Sequence, residues 1–409
     1  RGGAGEAGAG RGGRDLDWGR MLYLLVEWLG ESGAGWAYSF PLSLLFEREF
    51  RALLAVFLSF LLVVSMGGRV IGLLRRMGAE DTGQSDVEDL RQHAASKART
   101  PTAGGVLICG GGLIVTLLLA DISHVLVVLG VVVMVWLAGV GAADDFLKLT
   151  AARRGGGRQG LHAWEKLVFQ LGIGLLAGWL GYMAADTAAA TDMGHVLNVP
   201  GQRTFVPGGG GVEEGLVYLP RLVFIAVAVL FIAGMSNAVN VTDGMDGLAG
   251  GISAVVLFAV MVLALVAGRP DWAQYLLVPS IDGAGELAII AASLGGACVG
   301  FLWFNCAPAQ VFMGDTGSLS LGGIIAYLAI AIRQEVVVLI MCGVFIAEIA
   351  SVVLQVGYFK ATKGRRIFRC APFHHHLQMG GWPESRVVGR LWLVTILLVV
   401  FALATLKVR

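Results

Sequence analysis

The most regular feature of the chain is a series of apolar runs, each close to the length that a membrane-spanning helix requires. Such a helix needs about 20 mostly apolar residues. The ten runs are residues 52–74, 104–119, 125–143, 167–185, 222–241, 248–268, 287–306, 319–332, 336–357 and 391–406. The pattern predicts an all-α integral membrane protein with about ten transmembrane helices.

Arg and Lys are distributed unequally between the loops that alternate along these spans. The odd-numbered loops carry 17 of them and the even-numbered loops carry 4. Loops rich in positive charge stay on the cytoplasmic side of a membrane. We therefore expect the odd loops to be cytoplasmic and both termini to be periplasmic.

The composition excludes several other classes of protein. Hydrophobic residues make up 56% of the chain and charged residues 14%, whereas soluble domains carry about 25% charged residues. The net charge of +1 gives no general attraction for nucleic acid. We interpret the Gly- and Arg-rich residues 1–20 as a disordered tail, native or vector-derived, and residues 21–409 as one membrane domain.

The polar motifs all fall on the predicted cytoplasmic side. They are the runs at residues 97–105, 144–145, 240–246, 315–318 and 374–376, each in an odd loop or at a helix end beside one. Polar loops placed at random would rarely share one side of a ten-span protein. The arrangement predicts a single active site at the cytoplasmic surface of the membrane.

Asp144 and Asp145 directly follow the uncharged span 125–143. Neighbouring side chains on a helix point about 100° apart, so one carboxylate can face a reacting group while the other supports the site. Alternatively, the pair only marks the membrane boundary, because an acid costs less at the end of a span than at its centre.

The run NVTDGMDG at residues 240–247 joins two spans by a very short connection. On a helix, Asp243 and Asp246 would share one face. Helix capping by Asp243 is the alternative, but capping explains only one of the two acids.

Residues 312–318 precede the eighth span and contain Asp315, a hard oxygen ligand. Thr316 or Ser318 could cap the following helix, whose N-terminus would favour phosphate. Mg²⁺ usually takes one or two carboxylates together with phosphate oxygens and water.

His374, His375 and His376 lie in the most basic loop. Consecutive side chains diverge on a helix, so phosphate contact or proton transfer fits better than three ligands to one ion. A structural zinc site is the alternative. Glu348 lies inside the ninth span, where an acid indicates function unless it is a hydrogen-bonded packing residue.

These residues together predict Mg²⁺-dependent phosphoryl chemistry between a soluble nucleotide and a membrane lipid. A transporter is the contrasting class. Transporter sites usually lie near the middle of the membrane on broken helices, whereas most acids here lie at loop level.

The motifs closely resemble those of the phospho-N-acetylmuramoyl-pentapeptide transferase (MraY) family, within the polyprenyl-phosphate N-acetylhexosamine-1-phosphate transferase superfamily. The similarity extends over residues 21–409. It includes KARTPTAGG at 97–105, DDFLK at 144–148, NAVNVTDGMDGLA at 237–249, PAQVFMGDTGS at 308–318 and PFHHH at 372–376. The compact PFHHH run points to this family rather than to the GlcNAc-1-phosphate branch.

The resemblance implies transfer of phospho-MurNAc-pentapeptide from its UDP carrier to undecaprenyl phosphate in the bacterial cytoplasmic membrane, by a ten-helix homodimer with Mg²⁺. It implies Asp315 as metal ligand, Asp144 as base for the lipid phosphate and Asp145 as a supporting residue, with the three histidines in the catalytic set. The implied substrate-binding residues are Lys97, Asn240, Asp243, Gly244, Met245, Asp246, Asn305, Phe312 and Gln355.

Two other functions stay open at this point. A polyprenyl-phosphate GlcNAc-1-phosphate transferase is the alternative within the superfamily, and a lipid flippase or transporter is the alternative from another class. Direct attack by the lipid phosphate and a covalent Asp intermediate both fit the sequence.

Overall fold

The structure, a computed structural model, describes residues 42–78, 100–153, 160–187, 193–206 and 211–407. The predicted tail at residues 1–20 and the predicted site residue Lys97 lie outside this part of the chain. The α-helices are α1 Arg48–Arg76, α2 Gly105–Leu119, α3 Val125–Arg153, α4 Ala163–Thr187, α5 Arg221–Thr242, α6 Leu248–Ala267, α7 Pro270–Leu276, α8 Ala284–Asn305, α9 Gly314–Ala331, α10 Glu335–Met341, α11 Gly343–Ala361, α12 Phe373–Met379 and α13 Glu384–Lys407.

The helices confirm the prediction of an all-α multi-pass membrane protein. Among the described residues, nine helices are long and apolar enough to cross a membrane, and the shorter apolar helix α2 corresponds to the second predicted span. These ten account for every predicted span. The same residues form no strand, apart from two isolated β-bridges between α4 and α5.

The ninth predicted span, residues 336–357, is two helices rather than one. α10 ends at Met341, Cys342 follows, and α11 begins at Gly343. A side chain at Gly343 would meet Leu398 of α13 at 2.8 Å, so the break coincides with close packing against α13. The hydrophobic pattern is continuous through Cys342 and therefore does not predict the break.

α9 lies at the centre of the helix bundle. In its most apolar stretch of 18 residues, 94% of the positions are buried by protein, compared with 22% to 33% for α1, α4, α11 and α13. The helices that pack most closely against it are α3 and α5. The outer helices therefore face lipid, whereas α9 is enclosed by other helices.

Two glycines allow the backbone of α9 to approach its neighbours closely. A Cβ atom at Gly141 of α3 would lie 2.2 Å from the carbonyl oxygen of Asp315, and one at Gly105 of α2 would lie 2.1 Å from the nitrogen of Gly317. A side chain at either position would push the start of α9 away. Asp315 is thereby held against the end of α3 that carries Asp144 and Asp145.

A buried ion pair joins helices at the opposite end of the bundle. Arg51 of α1 donates to Oε1 of Glu286 in α8 at 2.7 Å and to the carbonyl oxygen of Leu119 at 2.7 Å. Both side chains are almost fully buried. This pair ties the start of α1 to the start of α8 and the end of α2.

Candidate active site

Three carboxylates meet where the C-terminal part of α3 touches the first turn of α9. Asp144 and Asp145 lie on α3 and Asp315 lies on α9. Each offers one oxygen, and these three atoms all lie within 4.8 Å of one another. The fold therefore brings together the three acids that the sequence predicts as catalytic, although Asp145 and Asp315 are 170 positions apart.

Asp144 is fully buried and contacts two lysines. Its Oδ2 lies 2.6 Å from Nζ of Lys148, one helical turn away, and 3.0 Å from Nζ of Lys166 at the start of α4. Its Oδ1 accepts the backbone N–H of Leu161 at 2.7 Å. Asp144 thus fixes both ammonium groups beside the carboxylates and anchors the loop that leads into α4.

Asp145 caps the start of α9. Its Oδ1 accepts the backbone N–H of Asp315 at 3.1 Å, and its Oδ2 accepts the backbone N–H and the hydroxyl of Thr316 at 3.0 and 2.6 Å. The helix has no side-chain cap of its own, so the expected capping by Thr316 or Ser318 is wrong. The two adjacent acids diverge as predicted, and Asp145 accepts hydrogen bonds from the backbone of Asp315 and Thr316.

Asp315 lies between the lysines and the end of α5. Nζ of Lys166 donates to its Oδ2, and Nζ of Lys148 lies 3.3 Å from its Oδ1. Asn240 donates from Nδ2 to Oδ1 of Asp315 at 3.0 Å and to the hydroxyl of Ser318 at 2.9 Å. Asn240 of α5 therefore holds the same Asp315 oxygen that Lys148 of α3 approaches.

Asp243 and Asp246 belong to a turn and do not share a helix face, because α5 ends at Thr242 and Gly247 adopts a left-handed conformation (φ 77°). Removal from water, together with the nearby Asp315 and Asp145 carboxylates, raises the pKa of Asp243 well above its usual range. The turn therefore places a fourth acid next to the group of three.

The rest of this turn is held by side chains from other helices. Oδ1 of Asn305 accepts the backbone N–H of Gly247 at 3.0 Å, and Glu384 accepts that of Asp246 at 2.8 Å. Oδ2 of Asp246 accepts the backbone N–H of Ala309 at 3.0 Å. Asn305 and Asp246 thus set the shape of the predicted nucleotide pocket.

The two central residues of the turn differ in exposure. Gly244 is exposed, whereas Met245 is 5% exposed and belongs to the hydrophobic core. Gly244 is therefore the member of this pair that a substrate can reach directly.

The three histidines diverge and have different partners. Nδ1 of His374 lies 3.0 Å from Oε2 of Glu348, and both side chains are fully buried. His375 contacts Gln378 at 3.2 Å, and Nδ1 of His376 accepts the backbone N–H of Arg369 at 3.2 Å. A zinc site built from all three does not form, and Glu348 is the hydrogen-bonded partner of one histidine.

His374 also contacts the turn of Asp243. Among the described residues its Nε2 has no hydrogen-bond partner, and a Cβ at Gly244 would lie 2.4 Å from it. Only a glycine at this position lets the turn and the imidazole approach so closely. His374 is thus the histidine that touches the other predicted site residues.

Gln355 and Phe312 each hold a backbone segment at this end of the bundle. Oε1 of Gln355 accepts the backbone N–H groups of Ile367 and Phe368 at 3.0 Å each, which pins the basic loop to α11. Phe312 is partly buried, and its carbonyl oxygen accepts the N–H of Gly104 at 2.8 Å. Both residues line the end of the bundle that carries the carboxylates.

The residues present fit a divalent metal ion. Among the described residues, Asp144, Asp145 and Asp315 are the group of three potential ligands, and carboxylate oxygens are what a hard cation prefers. The ammonium groups of Lys148 and Lys166 already contact two of these acids. The site therefore attracts positive charge even though its acids are deeply buried.

Sequence reasoning missed Lys166 as a site residue. It appears in the sequence as one of many basic residues in an odd loop, 22 positions from Asp144. No motif joins the two, and only the return of α4 to the end of α3 brings them together. Lys148 was within a recognised run, DDFLK, and its spacing of four from Asp144 was the available signal.

Comparisons with known proteins agree with these features. The family model described as glycosyl transferase family 4 matches residues 125–333. The phospho-N-acetylmuramoyl-pentapeptide-transferase of Parabacteroides distasonis is 37% identical over 95% of this chain and 100% of its own length. The proteins of the same name from Flavobacterium johnsoniae and Desulfotalea psychrophila are 37% and 41% identical, over 95% and 88% of this chain and 100% and 93% of their own lengths.

Proposed function

Because the chain belongs to the phospho-N-acetylmuramoyl-pentapeptide transferase family, we propose that it transfers phospho-MurNAc-pentapeptide from UDP to undecaprenyl phosphate. The products are lipid I and UMP. The observation that carries the proposal is the group of three carboxylates and two lysines at the ends of membrane-spanning helices. A soluble nucleotide and a membrane lipid can meet at such a position.

The two lysines are placed to bind the diphosphate of the nucleotide. Lys148 and Lys166 converge on Asp144 and Asp315, and a diphosphate that arrives there meets both ammonium groups. Mg²⁺ bound with Asp315 as its protein ligand would neutralise charge on the transferring phosphoryl group. Asn240 orients Asp315, and Asp145 fixes the helix start from which Asp315 projects.

Asp144 is the candidate base for the lipid phosphate. The second pKa of a phosphomonoester is about 6, so little basicity is needed to keep the acceptor dianionic. The attacking oxygen then displaces UMP, either directly on the phosphoryl group or after a covalent intermediate on an Asp.

The remaining predicted residues are proposed to bind the substrates and to line the site. His374, His375 and His376 contribute donors to the anionic substrate. The proposed substrate-binding residues are Lys97, Asn240, Asp243, Gly244, Met245, Asp246, Asn305, Phe312 and Gln355.

We also propose that the enzyme is a homodimer in the bacterial cytoplasmic membrane with its active site facing the cytoplasm. The distribution of Arg and Lys supports the orientation, because the carboxylates lie at the helix ends that border the basic loops. Light scattering of the purified protein in detergent tests the dimer.

One assay separates the proposed reaction from the alternatives. The purified protein is incubated with undecaprenyl phosphate, Mg²⁺ and either UDP-MurNAc-pentapeptide or UDP-GlcNAc, and UMP release is followed. We expect UMP with the first nucleotide only, and loss of most turnover in Asp315→Asn, which keeps the size of the side chain and removes its charge. Release with UDP-GlcNAc would instead identify a GlcNAc-1-phosphate transferase, and no release with either would point to a flippase or transporter.

A further inference from the structure

A cavity of about 490 Å³ opens at the end of the bundle opposite to the carboxylates. Its walls come from the starts of α1 and α3, the ends of α4 and α9, and the segment between α6 and α8. Small-molecule sites typically have volumes of about 300–1,000 Å³. None of the residues that line it belongs to the proposed active site, so the transfer reaction does not account for it.

Arg333 lines this cavity with a buried guanidinium. Its side chain is 4% exposed, and its Nη1 lies 3.2 Å from Oε1 of Glu335. Its Cζ lies 4.3 Å from the ring centre of Phe224. Within the described part of the chain, Nη1 has this ion pair but no partner of hydrogen-bond geometry. A buried donor without a hydrogen bond costs about 1–3 kcal/mol, so Arg333 would gain from an acceptor placed in the cavity.

The other polar groups of the lining add donors. Nδ1 of His124 accepts the backbone N–H of Leu126 at 3.3 Å, which leaves its Nε2 to carry the proton of the neutral ring. Arg48 also lines the cavity, and its Nε lies 3.2 Å from Glu286. Among the described residues that line the cavity, Asp282 is the one acid. This excess of N–H donors fits a ligand with several acceptor oxygens, and a guanidinium matches phosphate geometrically.

The position of the cavity indicates where such a ligand comes from. It lies at the ends of membrane-spanning helices, which is the depth of lipid headgroups. Its α4 wall consists of small residues, Ala177, Gly181, Ala184 and Ala185, and α4 is mostly exposed to lipid. A headgroup can therefore enter from the membrane, whereas the volume is too small for a whole lipid with its acyl chains.

We propose that this cavity is a binding site for the phosphate headgroup of a membrane lipid, with Arg333 as its principal contact. The phosphate oxygens accept from the guanidinium of Arg333 and from Nε2 of His124. The acyl chains remain in the bilayer beside α4. The site lies on the membrane surface opposite to the active site, and its ligand is bound without being transformed.

Native mass spectrometry of the full-length protein tests the proposal. The delipidated protein is titrated with phosphatidylglycerol, with diacylglycerol of the same acyl chains, and with inorganic phosphate. We expect a stable phosphatidylglycerol adduct, no comparable diacylglycerol adduct and much weaker binding of inorganic phosphate. In the double variant Arg333→Met/Glu335→Gln, which removes the buried ion pair as a unit, the dissociation constant for phosphatidylglycerol should rise about tenfold or more.

Two controls keep the result interpretable. Arg269→Gln changes an exposed arginine at the same end of the bundle that does not line the cavity, and it should bind like wild type. Arg333→Lys keeps the charge and loses the planar donor array, so it should weaken binding several-fold even if the double variant fails to fold.

Transferase activity is measured in parallel and should be retained, which separates this proposal from the proposed reaction. Equal binding by wild type and Arg333 variants, or equal binding of inorganic phosphate and lipid, would overturn the assignment.

Discussion

Asp145 caps the N-terminus of α9 by accepting both the backbone N–H and the hydroxyl of Thr316, at 3.0 and 2.6 Å. A carboxylate at a helix N-terminus is favoured by the helix dipole as well as by these hydrogen bonds. The residue that precedes Thr316 is Asp315, so the contact fixes the position of the proposed metal ligand. We therefore expect Asp145 to affect the reaction indirectly, by holding the helix from which Asp315 projects.

Replacing Asp145 by Asn should lower both stability and turnover. The amide NH₂ would face donors of Thr316, and buried donors left without acceptors cost about 1–3 kcal/mol. Thermal unfolding in detergent and UMP release are measured together, with Asp144→Asn as a comparison that leaves the Asp145 hydrogen bonds to the backbone of α9 in place. A variant of Asp145 with normal thermal stability and no activity would indicate direct contact with the substrate instead.

Replacing Asp144 by Asn should reduce turnover, and the defect should be smaller at alkaline pH. If Asp144 serves as a base, the defect shrinks when the solution itself keeps the lipid phosphate dianionic, above its second pKa of about 6. The pH profile of kcat for wild type and variant measures this. A defect of equal size at every pH would favour a different role, in which Asp144 holds Lys148 and Lys166 in place.

Replacing Lys166 by Met should strengthen metal binding and weaken catalysis. Its ammonium group contacts Asp144 and Asp315 and so competes with a cation for their oxygens. We expect about tenfold tighter Mn²⁺ binding, which corresponds to about 1.4 kcal/mol. This is well below the roughly 4 kcal/mol between unit charges 4 Å apart at an effective dielectric constant of about 20.

Electron paramagnetic resonance of Mn²⁺ in the substrate-free protein measures this binding. Lys360→Met, at an exposed position near the end of α11, is the matched control and should leave Mn²⁺ affinity unchanged. Turnover of Lys166→Met should fall because the diphosphate loses an ammonium group. Weaker Mn²⁺ binding in Lys166→Met would show that the lysine does not compete for the metal site.

Each histidine replaced by Ala should lower turnover without releasing metal, and His374→Ala should have the largest effect. His374 is buried, pairs with Glu348 and touches the turn at Gly244, whereas His375 and His376 are partly exposed. Glu348→Gln should therefore add little to the defect of His374→Ala, since residues that act as a unit are not additive. Stoichiometric zinc in the wild-type protein, lost in these variants together with stability, would show the loop to be structural.

The orientation in the membrane is tested by labelling single cysteines. In a background without the five native cysteines, Gly155→Cys should resist a membrane-impermeant maleimide added to intact spheroplasts, and Gly209→Cys should react. Both positions should react once the cells are permeabilised. The reverse pattern would place the carboxylates on the outer surface and exclude a cytoplasmic nucleotide.

The sequence was sufficient to predict the spans and the convergence of the acids, because hydrophobic runs of about 20 residues and loop charges are local signals. It was insufficient wherever a contact depends on how helices pack. The capping of α9 by Asp145 and the contact of Lys166 with Asp315 join residues 170 and 149 positions apart. The break at Cys342 interrupts an apolar run that carries no turn residue before it.

The central position of α9 has a consequence for biogenesis. Its mean hydropathy of 1.2 is the lowest among the nine long helices of the described residues, whose values reach 2.7. A helix that is surrounded by protein needs small and polar residues for packing more than it needs apolar surface. The translocon sorts segments by their affinity for lipid, so α9 should partition weakly when it emerges alone. Its stable insertion would depend on α3 and α5, which are synthesised first and pack against it. The helix that carries Asp315 would then enter the bilayer by docking onto earlier helices, and the active site would be assembled in the same event.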